Sequence, residues 1–390
     1  MTARAVWVLV PDGIDDPMRP SGGNRYDRRV CDGLRTLGWR VRERAIPGAW
    51  PHPDGAARRR LADALNDAGD GDLVLVDGLI ASPAGDLVAT AAERLRLAVL
   101  LHMPFGPVEP ELRDRERLML SRVPAVLATS RWTREFLLRE YRLSERRVHV
   151  ASPGADRAGL VRPDRIGTTA GTAVPDGGRL LCVAAVTRAK GYDVLLAALS
   201  GLGAREWQCR LVGSPDVDPT FSSRMRRSGQ DPRLAGRVRF TGALPAAELD
   251  AAWAQTDLLV LPSRSETWGM VITEALARGI PVLASDVGGI PEALGTAPDG
   301  TVPGLLVPPG DASALAGALA RWLDDAALRG RLRSAALARR ATLPGWRHTA
   351  ARIAAVLTGL AREPWGEGAS GPVAATAVRS ARGWTPSTSR

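Results

Sequence analysis

The strongest constraint on the fold of this chain is a unit that recurs along it. A short apolar run is followed by a glycine-bearing loop, and the loop by a stretch with apolar residues at helical spacing. Val6–Val10, Leu73–Val76, Leu97–Leu101, Val123–Ala128 and Val148–Ala151 form one series of such runs. Leu180–Val186, Gln208–Val212, Val238–Phe240, Leu258–Leu261, Pro281–Ala284 and Leu305–Val307 form a second. Runs apolar at successive positions are strands buried on both faces, the habit of parallel sheets covered by helices. Between them lie helical stripes: Val30, Leu34 and Leu37 closed by Gly38; a stretch over 134–141 with Ser130 ahead of it as a cap; Val194, Leu195, Ala198, Leu199 and Leu202; and Leu315, Leu319 and Leu323. A helix is also expected over Glu248–Gln255. Strand and helix alternating over short connections predict an α/β protein of two doubly wound, Rossmann-like domains. In such sheets the ligand lies beyond the carboxyl ends of the strands, so two domains facing each other share one cleft.

Composition sets the boundaries. A first domain is expected over 1–155, a Gly/Pro-rich linker over 156–178, and a second domain over 179–343. Residues 344–362 read as a helix, with Ile353, Val356, Leu357 and Leu360 on its apolar face, placed to pack back on the first domain. Small and polar residues over 363–390 are expected to form a disordered tail. The longest apolar runs fall far short of the ~18 residues of a membrane span. The N-terminal run is too short for a signal-peptide core. Cys31, Cys182 and Cys209 have no metal-binding or redox spacing, which suits a reduced, cytoplasmic protein.

The formal net charge is +10, which raises nucleic acid, anionic lipid or an acidic small molecule as partners. Of 52 Lys plus Arg residues a single one, Lys190, is lysine. That bias reads as the imprint of a GC-rich bacterial genome, and against it a compact, rotatable ammonium stands out. Specific nucleic-acid binding is disfavoured, because the basic segments lack interleaved aromatics and any recognised motif. A nicotinamide enzyme is disfavoured because no G-x-G-x-x-G follows a strand.

The most informative stretch is Pro262–Glu292, PSRSETWGMVITEALARGIPVLASDVGGIPE. A strand stops at Pro262, Ser263–Trp268 form a loop, and a helix starts near Gly269. A helix N-terminus offers free N–H groups and partial positive charge, which suit a diphosphate. Glu266 and Glu274 stand with seven residues between them. Carboxylates accept hydrogen bonds only, so two along one ligand suit hydroxyl pairs on two sugars.

This segment resembles the donor-binding core of the retaining family 4 glycosyltransferases of the GT-B fold. The resemblance implies transfer of a hexose from a UDP- or GDP-linked donor to an acceptor carried by the first domain. It implies that Glu266 contacts the hexose, that the backbone of Trp268, Gly269, Met270 and Val271 holds hexose and diphosphate, and that Glu274 binds the ribose. Trp268 replaces the usual Phe or Tyr. Leu211–Ser214, with Gly213 and Ser214, and Arg237–Leu244, with Gly242 and Leu244, extend the similarity. Lys190 then neutralises the diphosphate; the usual preceding Gly-Arg pair is Ala184-Ala185 here, and Arg188 is offered instead. His102, at a strand end in Leu-His-Met-Pro, corresponds to the histidine beside the donor hexose and would orient it. Gly22 and Gly23 allow backbone approach to donor or acceptor. Catalysis is expected from His102, Lys190 and Glu266, and no cofactor is implied. No Asp-x-Asp signature lies near these elements, so metal-free neutralisation of the diphosphate and a same-face displacement are the expectation.

The acceptor is left open: small molecule, lipid or polysaccharide precursor. Arg113, Arg115, Arg117 and Arg122 could face anionic headgroups, which would place the protein peripherally on the inner face of the membrane. Two alternatives stay open: an epimerase acting on nucleotide sugars on a related scaffold, and a non-catalytic basic protein that binds anionic membrane or nucleic acid.

Overall fold

The computed structural model describes residues 4–16, 21–107, 109–161 and 174–363. Strands β1 (Ala5–Pro11), β2 (Arg40–Ile46), β3 (Leu73–Asp77), β4 (Arg96–Leu101), β5 (Ala125–Ala128) and β6 (Val148–Val150) form one sheet in the order β2-β1-β3-β4-β5-β6. Strands β7 (Arg179–Val183), β8 (Gln208–Val212), β9 (Val238–Gly242), β10 (Leu258–Leu261), β11 (Val282–Ser285) and β12 (Gly304–Val307) form another, ordered β12-β11-β10-β7-β8-β9. Every pairing is parallel. The chain is therefore an α/β protein of two Rossmann-like domains.

Helices α1 (Gly22–Thr36), α2 (Gly55–Asn66), α3 (Gly78–Ala81), α4 (Gly85–Ala91), α5 (Arg113–Arg122) and α6 (Arg131–Glu140) belong to the first sheet. Helices α7 (Tyr192–Ser200), α8 (Pro219–Ser228), α9 (Ala246–Ala254), α10 (Met270–Ala277), α11 (Ile290–Leu294), α12 (Ala312–Asp324) and α13 (Ala326–Arg340) belong to the second. The period-2 alternation of each strand divides the side chains between two cores. In the first sheet Val74, Val76, Leu97, Val99 and Leu101 face α2 to α6. Leu73, Leu75, Ala98 and Leu100 face the other way, against Val30, Cys31 and Leu34 of α1.

That second face is closed by a helix from the far end of the chain, α14 (Trp346–Arg362), through Ile353, Leu357 and Leu360. Arg4 donates to Thr358 Oγ1 at 2.8 Å, and Arg96 to the Leu360 carbonyl at 2.6 Å. Residues 155–161 run back along the second domain: Ala155 N–H bonds the Pro344 carbonyl, Arg340 the Ala158 carbonyl, and Val161 N–H the Arg278 carbonyl. The remainder of the expected linker, 162–173, and nearly all of the expected tail, 364–390, lie outside the described residues.

The pattern reading misplaced or passed over several elements. Strand β2 went unseen because it is a sheet edge, with charged residues at alternate positions (RVRERAI), mostly exposed or half-buried. Helix α1 begins at Gly22, because the Ser21 hydroxyl accepts from Asn24 N and caps it. Lys190 ends a 3-10 turn at residues 188–190, and α7 starts at Tyr192 after the left-handed Gly191.

Two helical glycines separate packing from intrinsic propensity. A Cβ at Gly33 of α1 would stand 2.5 Å from Ala350 Cβ of α14, whereas one at Gly317 of α12 would meet nothing within 4 Å. Alanine normally stabilises a helix interior by up to about 1 kcal/mol over glycine. Gly317→Ala should show that gain in urea unfolding. Gly33→Ala should reverse the sign and lose roughly 1–3 kcal/mol, the usual cost of overpacking. Equal effects at both positions would mean that α14 does not rest on α1 as described.

Candidate functional site

Each sheet reverses its direction of winding once: between β1 and β3 in the first, and between β7 and β10 in the second. At such a switch point two loops leave neighbouring strands in opposite directions and open a crevice. In the second domain those loops are 184–191 and 262–269, and they carry Lys190 and Glu266. Lys190 Nζ lies 2.6 Å from Glu266 Oε2, and both side chains are partly exposed (28% and 14%). Arg188 is exposed beside them, and among the described residues its guanidinium makes no hydrogen bond or ion pair.

The backbone around Glu266 is held from a third loop. Gly289 N–H donates to the Glu266 carbonyl at 3.0 Å, and a Cβ at Gly288 would stand 1.7 Å from that same oxygen. Helix α10 follows. Its N-cap is Gly269, at φ +85°, with no side chain capping the first turn. Helices α1, α2, α6, α8, α12 and α13, by contrast, each have a Ser or Asp oxygen on an early N–H. The first amides of α10, like those of α7 and α9, carry no side-chain cap, and glycine at 269 reaches the left-handed region that admits the turn.

Other residues of the same stretch sit differently. The Trp268 side chain is buried in the core beneath α10, so only its backbone is available to a ligand. Met270 packs in both domains' cores, and its Sδ would lie 3.5 Å from a Cβ at Gly22. Glu274, one turn past Val271, is held by Arg25 of α1 at 2.5 Å, a bond that spans the crevice. The same guanidinium reaches Asp156 at 2.6 Å. Burial pushes the Glu274 carboxyl up, against the opposing pull of Arg25 and Arg278. Burial also works against the Arg25 charge, but Glu274 and Asp156 outweigh it and its pKa is raised. A second link across the crevice joins Glu292 of α11 to the Arg131 N–H at the start of α6, at 2.8 Å. Gly213, Ser214, Gly242 and Leu244 lie at the ends of β8 and β9. Gly213 N–H bonds the Gly242 carbonyl, the Ser214 hydroxyl bonds Asp216, and Leu244 packs on the core. Among the described residues no hydrogen bond or ion pair ties these four to Lys190 or Glu266.

The first domain brings His102, at the end of β4, to its own switch point. Nε2 of His102 is 2.8 Å from Oδ1 of Asp27 on α1 and 3.9 Å from Oδ2 of Asp77 at the end of β3. Both carboxylates are buried. The ring meets the edge of Tyr26 at 5.0 Å, and a Cβ at Gly23 would stand 3.3 Å from its Cδ2. Burial, and then the negative charge of Asp27, hold the Asp77 carboxyl well above the usual carboxylate range. Two carboxyls in one dry site do not both ionise readily, so Asp77 keeps its proton. Asp27, Asp77 and His102 have ligand-type atoms within 4.8 Å of one another. The loop carrying His102 is anchored by Glu116 of α5, fully buried, which accepts from Ser82, the N–H groups of Phe105 and Gly106, and Tyr141.

Sequence reasoning missed Arg25, Asp27, Asp77 and Glu292. Asp77 was within reach, as an acid closing an all-apolar run at the end where ligands bind. Arg25 and Glu292 gain meaning only from the opposite domain. Of the arginines considered for lipid, Arg113 and Arg115 donate to the carbonyls of Gly106 and Pro83, and Arg117 lies over Tyr141. No helix among the described residues is long and apolar enough to cross a membrane.

Comparison with known proteins adds the following. A family model described as "Glycosyltransferase Family 4" matches residues 8–158, and one described as "Glycosyl transferases group 1" matches 172–339. A D-inositol 3-phosphate glycosyltransferase of Catenulispora acidiphila is 30% identical over 84% of this chain and 81% of its own length. One of Jonesia denitrificans is 31% identical over 63% of this chain and 60% of its own. Among solved structures, Anabaena HepE in complex with UDP-glucose superposes with TM-score 0.74 at 19% identity, covering 91% of this chain and 99% of that one. Sucrose-phosphate synthase of Thermosynechococcus elongatus gives 0.71 at 21% identity, covering 92% and 99%.

The buried acid pair makes a pH prediction. A carboxyl whose folded pKa is raised adds stability that is complete below its unfolded value, near ~4, and lost as pH rises through the folded value. Asn at position 77 can donate to Asp27 at every pH. The melting temperature of Asp77→Asn relative to the unsubstituted protein should therefore climb as pH increases from ~4. A difference independent of pH would show that Asp77 is ionised in the fold.

Proposed function

Because the chain belongs to the family 4 glycosyltransferases, we propose that it transfers a hexose from a nucleotide-diphosphate sugar to a hydroxyl acceptor, with retention and without a metal. The supporting observation is the convergence of Lys190, Glu266 and the uncapped N-terminus of α10 at one switch point, opposite Gly22 and His102 of the other domain. In this reading the diphosphate takes the free amides of Met270 and Val271, with Lys190 and Arg188 as its counter-charges. The hexose lies between Glu266 and His102. The ribose hydroxyls bond Glu274.

The acceptor oxygen attacks the anomeric carbon on the face from which the diphosphate departs. The bond from that carbon to the phosphate oxygen breaks, and the acceptor proton passes to the departing oxygen. Lys190 and the α10 amides stabilise the charge that develops there. Glu266, paired with Lys190, serves as an acceptor of hexose hydroxyls rather than as a nucleophile. The relatives' names make inositol 3-phosphate the first acceptor to assay.

Isothermal titration with UDP- and GDP-linked hexoses tests the reading. Hydrogen bonds to a charged acceptor are worth roughly 1.5–3 kcal/mol, so Glu274→Ala should weaken donor binding by about 10- to 150-fold with the fold intact. Lys190→Ala should remove stabilisation by donor in a thermal-shift assay. Unchanged donor affinity in both variants would overturn the site.

A further inference from the structure

Asp27 is an anomaly of the helix that bears it. The buried stripe of α1 runs Tyr26, Asp27, Val30, Cys31 and Leu34. An aliphatic residue at 27 would complete that stripe; instead a carboxylate is 98% excluded from solvent, being 2% exposed. Among the described residues no Arg or Lys pairs with it. Its hydrogen bond is to His102, and Oδ2 is buried without a hydrogen-bond partner. A core position given to a charge with so few partners breaks a local folding rule, and such breaks concentrate at functional sites.

We infer that Asp27 is a positioning residue for His102, fixing the imidazole with Nε2–H toward the helix and the Nδ1 lone pair toward the crevice. The geometry leaves little choice. His102 Nε2 lies 2.8 Å from Asp27 Oδ1, and a carboxylate oxygen accepts, so the nitrogen facing it donates. A neutral imidazole with its proton on Nε2 has an acceptor at Nδ1. Among the described residues Nδ1 has no hydrogen-bond partner, and the side chain is 20% exposed, so one end is tied and the other is open. The Tyr26 edge lies against the ring, and the missing Cβ of Gly23 leaves room beside Cδ2. A histidine serving packing alone would have no need of a buried acid that dictates its tautomer. The ligand at Nδ1 is a hydroxyl donor, and this step rests on the donor reading above, in which that hydroxyl belongs to the hexose.

The test uses the full-length protein with ring-15N histidine. The chain has four histidines, and loss of a signal in His102→Asn assigns the one of interest. The expected result is the Nε2–H tautomer in the unsubstituted protein. In Asp27→Asn the amide can donate to Nε2, so the opposite tautomer should appear. Hydrolysis of the donor should then lose roughly 10- to 100-fold in kcat, the range for partners that orient a functional histidine, with KM within about 2-fold. An Nδ1–H ring in the unsubstituted protein, or an unchanged tautomer and kcat in Asp27→Asn, would overturn the inference. Broadening of the His102 signal by micromolar Mn2+ would also overturn it, since the three side chains would then be metal ligands. The unsubstituted spectrum decides the geometry even if Asp27→Asn fails to fold. If the Nε2–H ring is found but no nucleotide sugar binds, the donor reading falls while the ring arrangement stands.

Discussion

Much of this structure depends on how closely its loops nest at the switch point of the second sheet. The turns that leave β7, β8, β10 and β11 touch backbone to backbone, with no side chain between them. A Cβ at Gly213 would lie 1.7 Å from the Ala184 carbonyl oxygen, one at Gly191 2.0 Å from that of Pro262, and one at Gly288 1.7 Å from that of Glu266. Real Cβ atoms do not approach oxygen so closely, so any side chain at these points would pry the loops apart. With them nested, an ammonium from one loop and a carboxylate from another meet at 2.6 Å beside the open amides of α10. The site is therefore built by main-chain packing, and its charged side chains are carried into place.

The crevice is closed by bonds of a different kind. Arg25 to Glu274 and the Arg131 amide to Glu292 each join one domain to the other through groups that water reaches in part. Fully exposed ion pairs contribute ~0–1 kcal/mol each; here Arg25 is the exposed partner, and the Glu274 side chain is mostly buried. The covalent connection and α14, by contrast, bury apolar surface: Ile353, Leu357 and Leu360 lie in the first domain's core. The permanent attachment of the two domains therefore lies at the α14 side, and the polar, exchangeable one at the crevice. Such an arrangement suits a ligand that competes with Arg25 for Glu274 by offering other donors to the same carboxylate. The carboxylate pair beside His102 is the opposite case. It is buried, and burial together with the neighbouring Asp27 charge raises the Asp77 pKa.

Elements buried on both faces, such as β3, β4, β10 and β11, were legible in the chain because burial on both sides demands unbroken apolar runs. The charge-bearing loop 262–269 was legible because glycines, a proline and two spaced glutamates mark it. Edge strand β2 was not, since one side of it meets water and its alternation of Arg and Glu reads as a loop. Asp27 was hidden for a related reason. Within a helix of mostly polar residues an aspartate reads as solvated, and nothing in its neighbours reveals that it points inward at a histidine 75 positions away.

The amino-acid sequence alone determined the layer architecture, two Rossmann-like sheets in order along the chain, and marked the charge-bearing loop of the second domain. These follow from periodicity and from short-range spacing, which act along the chain. Tertiary structure alone decided that Glu274 faces Arg25, that Glu292 reaches α6, and that two buried acids share His102. Those pairings join residues far apart in sequence, and their strength depends on burial and on angles set by packing. Local residue order holds no record of either, so the electrostatics of the site emerge only once both sheets have folded and α14 has drawn them together.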